Sequence, residues 1–246
     1  MNAIILAAGL GTRLRPWTLE HPKALVPVGG IPMLERVIVK LRDEGFDRIV
    51  VNVHHFSGQV KEFLANLDFG VEVMVSDESE LLLDTGGAIA KAAPLFDVDC
   101  GPILVHNVDI VSDADLSELS EAHKGSGADV TLLTSGRDSS RRLLFDGEQC
   151  LRGWHNLTTG EYRPETAAAL TGLSEHAFSG IYMVSEEGVA DIRRYSQEIG
   201  CEAFPVMDWL LAGRAGLIIK EHYVPGLDLT DIGKPETLAK ARLKLG

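Results

Sequence analysis

The chain has 246 residues, enough for one large domain or two small ones, and its 45% hydrophobic and 24% charged content is ordinary for a soluble globular protein. Its 36 Asp and Glu outnumber 23 Lys and Arg, for a net charge of -13. That balance argues against nucleic acid and anionic membranes as partners, and it makes any local cluster of cations informative.

The first apolar run, Ala3 to Ala8, is short, lacks a basic leader and reads as a buried strand rather than a signal peptide. It breaks into Gly9-Leu10-Gly11-Thr12 and then offers Arg13, Arg15 and Lys23. A buried strand feeding a small-residue loop exposes several backbone N–H groups at one point. With cations in reach, that arrangement suits a polyphosphate. Leu34, Val37, Ile38 and Leu41 recur at helical spacing, which predicts a helix over 33–44 stopped by Gly45. Arg48 to Val53 reads as a buried strand. Ser57 is expected to cap a helix through Leu67, with Val60, Phe63, Leu64 and Leu67 inward. Val71 to Val75 is the next strand, Asp84 to Ala93 a glycine-rich helix ended by Pro94, and Pro102 to His106 another strand that ends in Asn107-Val108-Asp109. Asp115 to Lys124 reads as a helix and Asp129 to Thr134 as a strand. This alternation predicts an α/β fold with a doubly wound, mostly parallel central sheet. Ligands in such sheets bind beyond the carboxyl ends of the strands, where Gly9-Leu10-Gly11 and Asn107-Val108-Asp109 both fall.

After about Gly136 the pattern changes. Arg142 to Phe145, Cys150 to Trp154 and Ala177 to Val184 are short strands separated by turns. They predict a small antiparallel excursion covering the cleft. Helices are expected over 187–199 and 204–212, a last strand over 217–220 and a terminal helix over 236–245. With no internal repeat and no low-complexity tract, the expectation is one continuous domain over 1–246, with halves at 1–135 and 136–246. Cys100, Cys150 and Cys201 lie far apart without a C-x-x-C, so neither a thiolate zinc site nor a redox pair is expected, and free thiols fit a reducing cytoplasm. No apolar run approaches the roughly 18 residues that span a membrane.

The glycine loop excludes two familiar phosphate sites. A dinucleotide fingerprint needs a third glycine where Leu14 stands and an acid near Gly30. A P-loop needs Gly-Lys-Ser/Thr, which is absent. Asp109 closes a buried strand at the ligand edge. It is either a Mg²⁺ ligand, since Mg²⁺ takes one or two carboxylates plus phosphates and water, or a cap for the Ser112-Asp113 segment. The second carboxylate would be Asp231 or its neighbour Asp228, each of which also suits a turn. Thr85-Gly86-Gly87 either admits a base or ribose to the backbone or lets a helix cross close by. His54, His55 and His106 lack partners at ligand spacing and read as structural or surface residues rather than metal ligands. No nucleophile elbow and no catalytic triad is present.

The run Leu6-Ala7-Ala8-Gly9-Leu10-Gly11-Thr12-Arg13-Leu14-Arg15-Pro16-Trp17-Thr18, continuing through Pro22-Lys23 to Pro27-Val28, resembles the signature of sugar-1-phosphate nucleotidyltransferases, also called nucleotide-sugar pyrophosphorylases. Only Trp17 departs, from a common Leu. The likeness continues through Leu83 to Gly87, Asn107-Val108-Asp109, Phe178 to Ile181 and Asp231 to Pro235. The resemblance implies a nucleotide-diphospho-sugar transferase fold, with an NTP and a sugar 1-phosphate as partners and Mg²⁺ as cofactor. It implies that Arg13 and Lys23 hold the triphosphate and the transferred phosphate. Ala7, Ala8, Gly9, Gly11 and Thr12, with Thr85, Gly86 and Gly87, would hold the nucleotide, and Asp109 and Asp231 the metal. The first half would bind nucleotide; the second would bind sugar and supply the second metal ligand. The length and the Thr-Gly-Gly form look most like the N-acetylmuramate 1-phosphate uridylyltransferase branch, which serves cell-wall sugar recycling. Two departures stand out: Val108 replaces a frequent Gly before Asp109, and Arg152 to Asn156 has no lysine where many glucose 1-phosphate members carry a Glu-Lys pair. Asn107, Trp154, Asn156, Ser179 and Gly180 are therefore the candidate sugar contacts. The resemblance leaves the oligomeric state open.

Overall fold

Strand β1 (Asn2–Leu6) lies inside a ten-stranded sheet because Ala3 to Leu6 have no polar side chain to offer water, and four of its five residues are buried. The computed structural model describes residues 1–96 and 101–245, so Cys100 lies outside the described residues. After β1 come the hairpin strands β2 (Pro27–Val28) and β3 (Ile31–Pro32), then α1 (Met33–Asp43), β4 (Arg48–Val53), α2 (Ser57–Ala65), β5 (Glu72–Asp77) and α3 (Asp84–Ala92). β6 (Ile103–Asn107), β7 (Ile110–Ser112), α4 (Leu116–Ser126) and β8 (Val130–Ser135) complete the first half. β9 (Arg141–Phe145), β10 (Leu151–Asn156), β11 (Glu161–Arg163) and β12 (Ser174–Val184) follow. The chain ends with α5 (Glu186–Ile199), α6 (Val206–Leu210), β13 (Ile219–Tyr223), β14 (Leu229–Asp231) and α7 (Pro235–Leu245).

β1 pairs in parallel with β4 on one side and β6 on the other, β5 extends the sheet beyond β4, and β13 pairs in parallel with β8. β12 runs antiparallel to β6 and β8, and its first residues pair antiparallel with β9, so the antiparallel strands β9–β11 extend the main sheet rather than forming a separate layer. Alternate residues feed opposite cores, as the pleat requires. Ala3 and Ile5 pack with Leu34, Val37, Ile38 and Leu41 of α1 on one face. Ile4 packs with Ile89 of α3, Ile192 of α5 and Trp209 of α6 on the other. This is the doubly wound arrangement expected. A third, small cluster joins Leu14, Val26 and Met33 to Ile232 and Leu238, and so ties the N-terminal loop to the last strand and helix.

Three expectations are corrected. Ser57 does not cap α2: the N-cap is Phe56 in the left-handed region (φ 53), and the Ser57 hydroxyl accepts from Ser79 instead. Leu67 lies beyond the helix end and is exposed. The last long strand falls at 219–223, two residues later than its apolar start. The ribbon of β14 with β7 has no periodic signal because each strand is only three residues long.

Candidate active site

The carboxyl ends of β1 and β6 lie side by side, since Leu6 registers with Asn107. The loop after β1 therefore faces the turn that holds Asp109. Gly11 sits at φ +61, a conformation glycine adopts freely, and a Cβ there would come within 2.9 Å of the Lys23 Cβ and the Thr18 methyl. Gly11 is thus what lets the lysine stem lie against the loop. The Thr18 hydroxyl and the Leu14 N–H both donate to Gly11 O, at 2.8 and 2.9 Å, and close the turn. The Lys23 ammonium forms an ion pair with Asp109 across 86 residues of sequence.

Asp231 reaches the same place through β14. Its partner on β7 is Ile110, and Ile232 N donates to Asp109 O at 2.9 Å. Gly233 follows, and the position its Cβ would take is 2.7 Å from Arg13 Nη2, 2.8 Å from Asp231 Oδ1 and 3.1 Å from Asp109 Oδ2. One point therefore has a guanidinium and two carboxylates within about 3 Å, with Lys23 against one of the carboxylates. Asp228 is elsewhere: it pairs with Lys244, while its backbone exchanges hydrogen bonds with Asp113. Among the described residues no group of three or more His, Cys, Asp or Glu could hold a metal ion. Two converging carboxylates fit Mg²⁺, whose shell is filled largely by water and phosphate oxygens.

A cleft of about 770 Å³ opens from this point. Arg13, Arg137, Arg141, Arg163 and Lys234 line it against two carboxylates, Asp138 and Asp231, so it is cationic in a chain of net charge -13. Trp154 and Phe178 give it apolar walls.

The other anticipated residues divide. Gly9 is exposed and its missing side chain faces open space. Thr12 is also exposed, whereas Ala7 and Ala8 are buried and the Ala7 N–H is taken by Asn52 Oδ1 at 2.6 Å. Of the two readings for Gly86 and Gly87, the structure has the close crossing. A Cβ on Gly86 would lie 2.3 Å from the Phe204 ring and one on Gly87 1.9 Å from Glu202 O. Their N–H groups both donate to Phe204 O, and the Thr85 hydroxyl accepts from Val206 N at 2.8 Å. Of the sugar candidates, Trp154 lines the cleft. Asn156 does not: its Oδ1 accepts from Thr158 N in the turn after β10. Ser179 is buried, with its hydroxyl on the Ile181 backbone at the irregularity in β12. Gly180, at φ +77, packs on Asn107, whose Nδ2 would lie 2.6 Å from a Cβ.

His106 is buried with Nδ1 at 2.8 Å from Asn107 O, and burial pushes its pKa down to about 4. His54 Nδ1 lies 2.6 Å from Glu78 O. The Glu78 carboxylate accepts from Asn52 Nδ2 and Leu83 N, and burial raises its pKa. Sequence reasoning missed Arg137, Arg141, Arg163 and Lys234. The signal was the one used for Arg13 and Lys23, cations grouped beside a strand end in an acidic chain.

A model of the nucleotidyl transferase family matches residues 2–145. The mannose-1-phosphate guanylyltransferase 1 of Arabidopsis thaliana is 35% identical over 239 residues, covering 96% of this chain and 62% of its own length. The N-acetylmuramate alpha-1-phosphate uridylyltransferase of Caulobacter vibrioides is 38% identical over 112 residues, covering 44% of this chain and 46% of its own. This chain therefore spans less than two thirds of the length of either curated relative. HddC from Yersinia pseudotuberculosis has the same fold, with a TM-score of 0.79 at 24% identity over 100% of this chain and 99% of that one. No helix among the described residues is long and apolar enough to cross a membrane. The family match covers more than half of the sequence and takes in Arg13, Lys23 and Asp109; the chain belongs to the nucleotidyl transferase family.

Proposed function

We propose that the protein transfers a nucleotidyl group from an NTP to a sugar 1-phosphate, giving an NDP-sugar and pyrophosphate, in a cytoplasmic setting. The observation that carries this reading is the convergence of Arg13, Asp109 and Asp231 on Gly233, with Lys23 on Asp109. An oxygen of the sugar phosphate attacks the α-phosphorus, and the bond from that phosphorus to the bridging oxygen of the β-phosphate breaks. The second pKa of a phosphate monoester is near about 6, so the nucleophile is already largely dianionic at neutral pH. No general base is required, in keeping with a site that has cations and carboxylates but no triad.

The difficulty is to bring two anions in line. Arg13 and Lys23 offset that repulsion and stabilise the charge that develops on the departing pyrophosphate. Asp109 and Asp231 would hold Mg²⁺, which neutralises phosphate charge as a Lewis acid. Lys23 reaches its position on a stem packed against Gly11, and with its partner Asp109 it is fixed before substrate arrives.

For the substrates, the reading is UTP and N-acetylmuramate 1-phosphate. It is supported by the Caulobacter relative and by the cationic cleft, which suits a sugar phosphate with a further negative charge. The similarity to guanylyltransferases for mannose 1-phosphate supports the second reading, a hexose-1-phosphate guanylyl transfer. A pyrophosphate-release assay with four NTPs against glucose, mannose, N-acetylglucosamine and N-acetylmuramate 1-phosphates tests both. The highest kcat/KM with UTP and N-acetylmuramate 1-phosphate is the expected result. Release only with GTP and mannose 1-phosphate would replace it by the second reading. No release with any pair, from protein that binds nucleotide, would indicate a nucleotide-sensing subunit.

A further inference from the structure

Arg137 follows the end of β8 and lines the cleft together with Asp231. One end of its guanidinium is fixed, because Nη2 donates to Phe178 O at 2.8 Å. Its Nε is buried without a hydrogen-bond partner. Burial holds its pKa below the ordinary arginine value, against the charge of Asp231, while Arg142 adds to the depression. Arg142 cannot serve as a counter-charge, and its Nη1 donates to Arg137 O.

Arg214, also half-buried in the second half, is treated differently. Arg214 is gripped by Asp191 at 2.6 Å and by Glu198 at 2.6 Å. Arg163, across the same cleft, is held by Asp208 at 2.7 Å. Among the described residues no ion pair joins Arg137 to a carboxylate, although the chain has 36 of them. A half-buried cation with an unsatisfied N–H is costly to maintain in the free protein. It is the expected state of a group whose partner arrives with the substrate.

We propose that Arg137 anchors an anion subsite for the second substrate, donating to an oxyanion of the sugar 1-phosphate beside the walls made by Trp154 and Phe178. The subsite rests on the sugar 1-phosphate reading of the cleft. The oxyanion has two sources, the 1-phosphate itself or a carboxylate on the sugar, and the substrate series separates them.

The test uses Arg137→Met, which keeps the aliphatic stem, and Arg137→Lys. Pyrophosphate release is measured at saturating UTP with glucose 1-phosphate or N-acetylmuramate 1-phosphate varied, alongside thermal unfolding of the free proteins. For Arg137→Met the KM for the sugar phosphate should rise by about 30-fold or more, the scale for leaving one partner of a buried charged hydrogen bond unpaired. The KM for UTP should stay within about twofold, because an interaction with the second substrate alone is lost. Arg137→Lys should recover part of the loss. The melting temperature of Arg137→Met should equal or exceed that of the parent, since an uncompensated charge has been removed. A rise for both sugars identifies the phosphate as the ligand; a rise for N-acetylmuramate 1-phosphate alone identifies the carboxylate. An unchanged sugar KM, a rise confined to UTP, or a lower melting temperature with unchanged KM would overturn the proposal. Should the parent turn over neither sugar with UTP, the uridylyl-transfer reading fails separately. Calorimetric titration with the same two sugar phosphates then decides the subsite: binding present in the parent and lost in Arg137→Met supports it, and equal or no binding overturns it.

Discussion

Gly233→Ala separates the site from the fold more cleanly than removal of any charged residue. Gly233 lies between β14 and α7, outside the left-handed region, so alanine meets no backbone penalty there. In the unfolded chain the change removes freedom, worth about 0.4–1 kcal/mol in favour of the native state. The obstacle is local: the new methyl would lie 2.7 Å from Arg13 Nη2, 2.8 Å from Asp231 Oδ1 and 3.1 Å from Asp109 Oδ2. Arg13 is exposed and swings aside at little cost. Asp231 is less free, because its Oδ1 accepts from the Gly233 N–H at 2.7 Å. Each contact must open by several tenths of an ångström, and the movement falls on groups assigned to phosphate and metal. Displacing such groups by about 1 Å costs on the order of 10²-fold in rate, or about 3 kcal/mol of barrier. Gly233→Ala should therefore melt within a few degrees of the parent while kcat/KM falls about 10²-fold. Pyrophosphate release should also require more Mg²⁺ for half-maximal rate. Turnover within threefold of the parent at unchanged Mg²⁺ dependence, on the scale of about 0.6 kcal/mol, would refute the reasoning.

Asp109→Asn removes the carboxylate that pairs with Lys23, and Mg²⁺-dependent turnover should fall to background with an unchanged far-UV circular dichroism spectrum; near-parent rates would take Asp109 out of the metal site. Arg13→Ala should lower kcat by about 10²–10³-fold, the scale for one charge-stabilising donor, and an unchanged kcat would leave Arg13 a surface residue. Gly180→Ala places a side chain at φ +77 and 2.6 Å from Asn107 Nδ2. A left-handed alanine costs about 1–2 kcal/mol before any clash, so the urea midpoint should fall, and Asn107→Ala in the same chain should restore only the steric part. His106 is held neutral in the fold down to a pKa of about 4 by burial, whereas the unfolded chain takes up the proton near the ordinary value. Its contribution is complete above about pH 6.5 and is lost as pH falls toward 4, by about 1–1.5 kcal/mol per pH unit. The difference in unfolding free energy between the parent and His106→Gln should change with pH across that window, and a pH-independent difference would show that His106 does not cause the slope.

The strands and helices that form the two main cores were legible because their signals are local. Ala3 to Ala8 is apolar throughout, and Leu34, Val37, Ile38 and Leu41 repeat at helical spacing. The choice between Asp228 and Asp231 was not legible. Both are carboxylates in turn-forming sequence, three residues apart, and the register of β14 on β7 alone sends Asp231 to Asp109 and leaves Asp228 for Lys244. Arg137 was hidden for a similar reason. Arg137, Arg141 and Arg142 form one cluster in the sequence, but that Arg137 is the one left half-buried with an unpartnered Nε depends on how the strands after β8 fold back.

The glycines carry the same lesson in sharper form. Sequence shows where a side chain is missing; only the partner that approaches gives the absence its meaning. At Gly86 that partner is the Phe204 ring, at Gly11 the stem of Lys23, at Gly233 two carboxylates and a guanidinium, while Gly9 faces open space. The first of these is packing, the second presents a cation, the third keeps charges in one place, and the fourth leaves backbone open to solvent. A substitution at each should then fail in a different way. Gly86→Ala should disturb the α3 crossing and lower stability, whereas Gly233→Ala should leave stability in place and lose the chemistry. That contrast in behaviour follows from geometry that no single stretch of the chain contains.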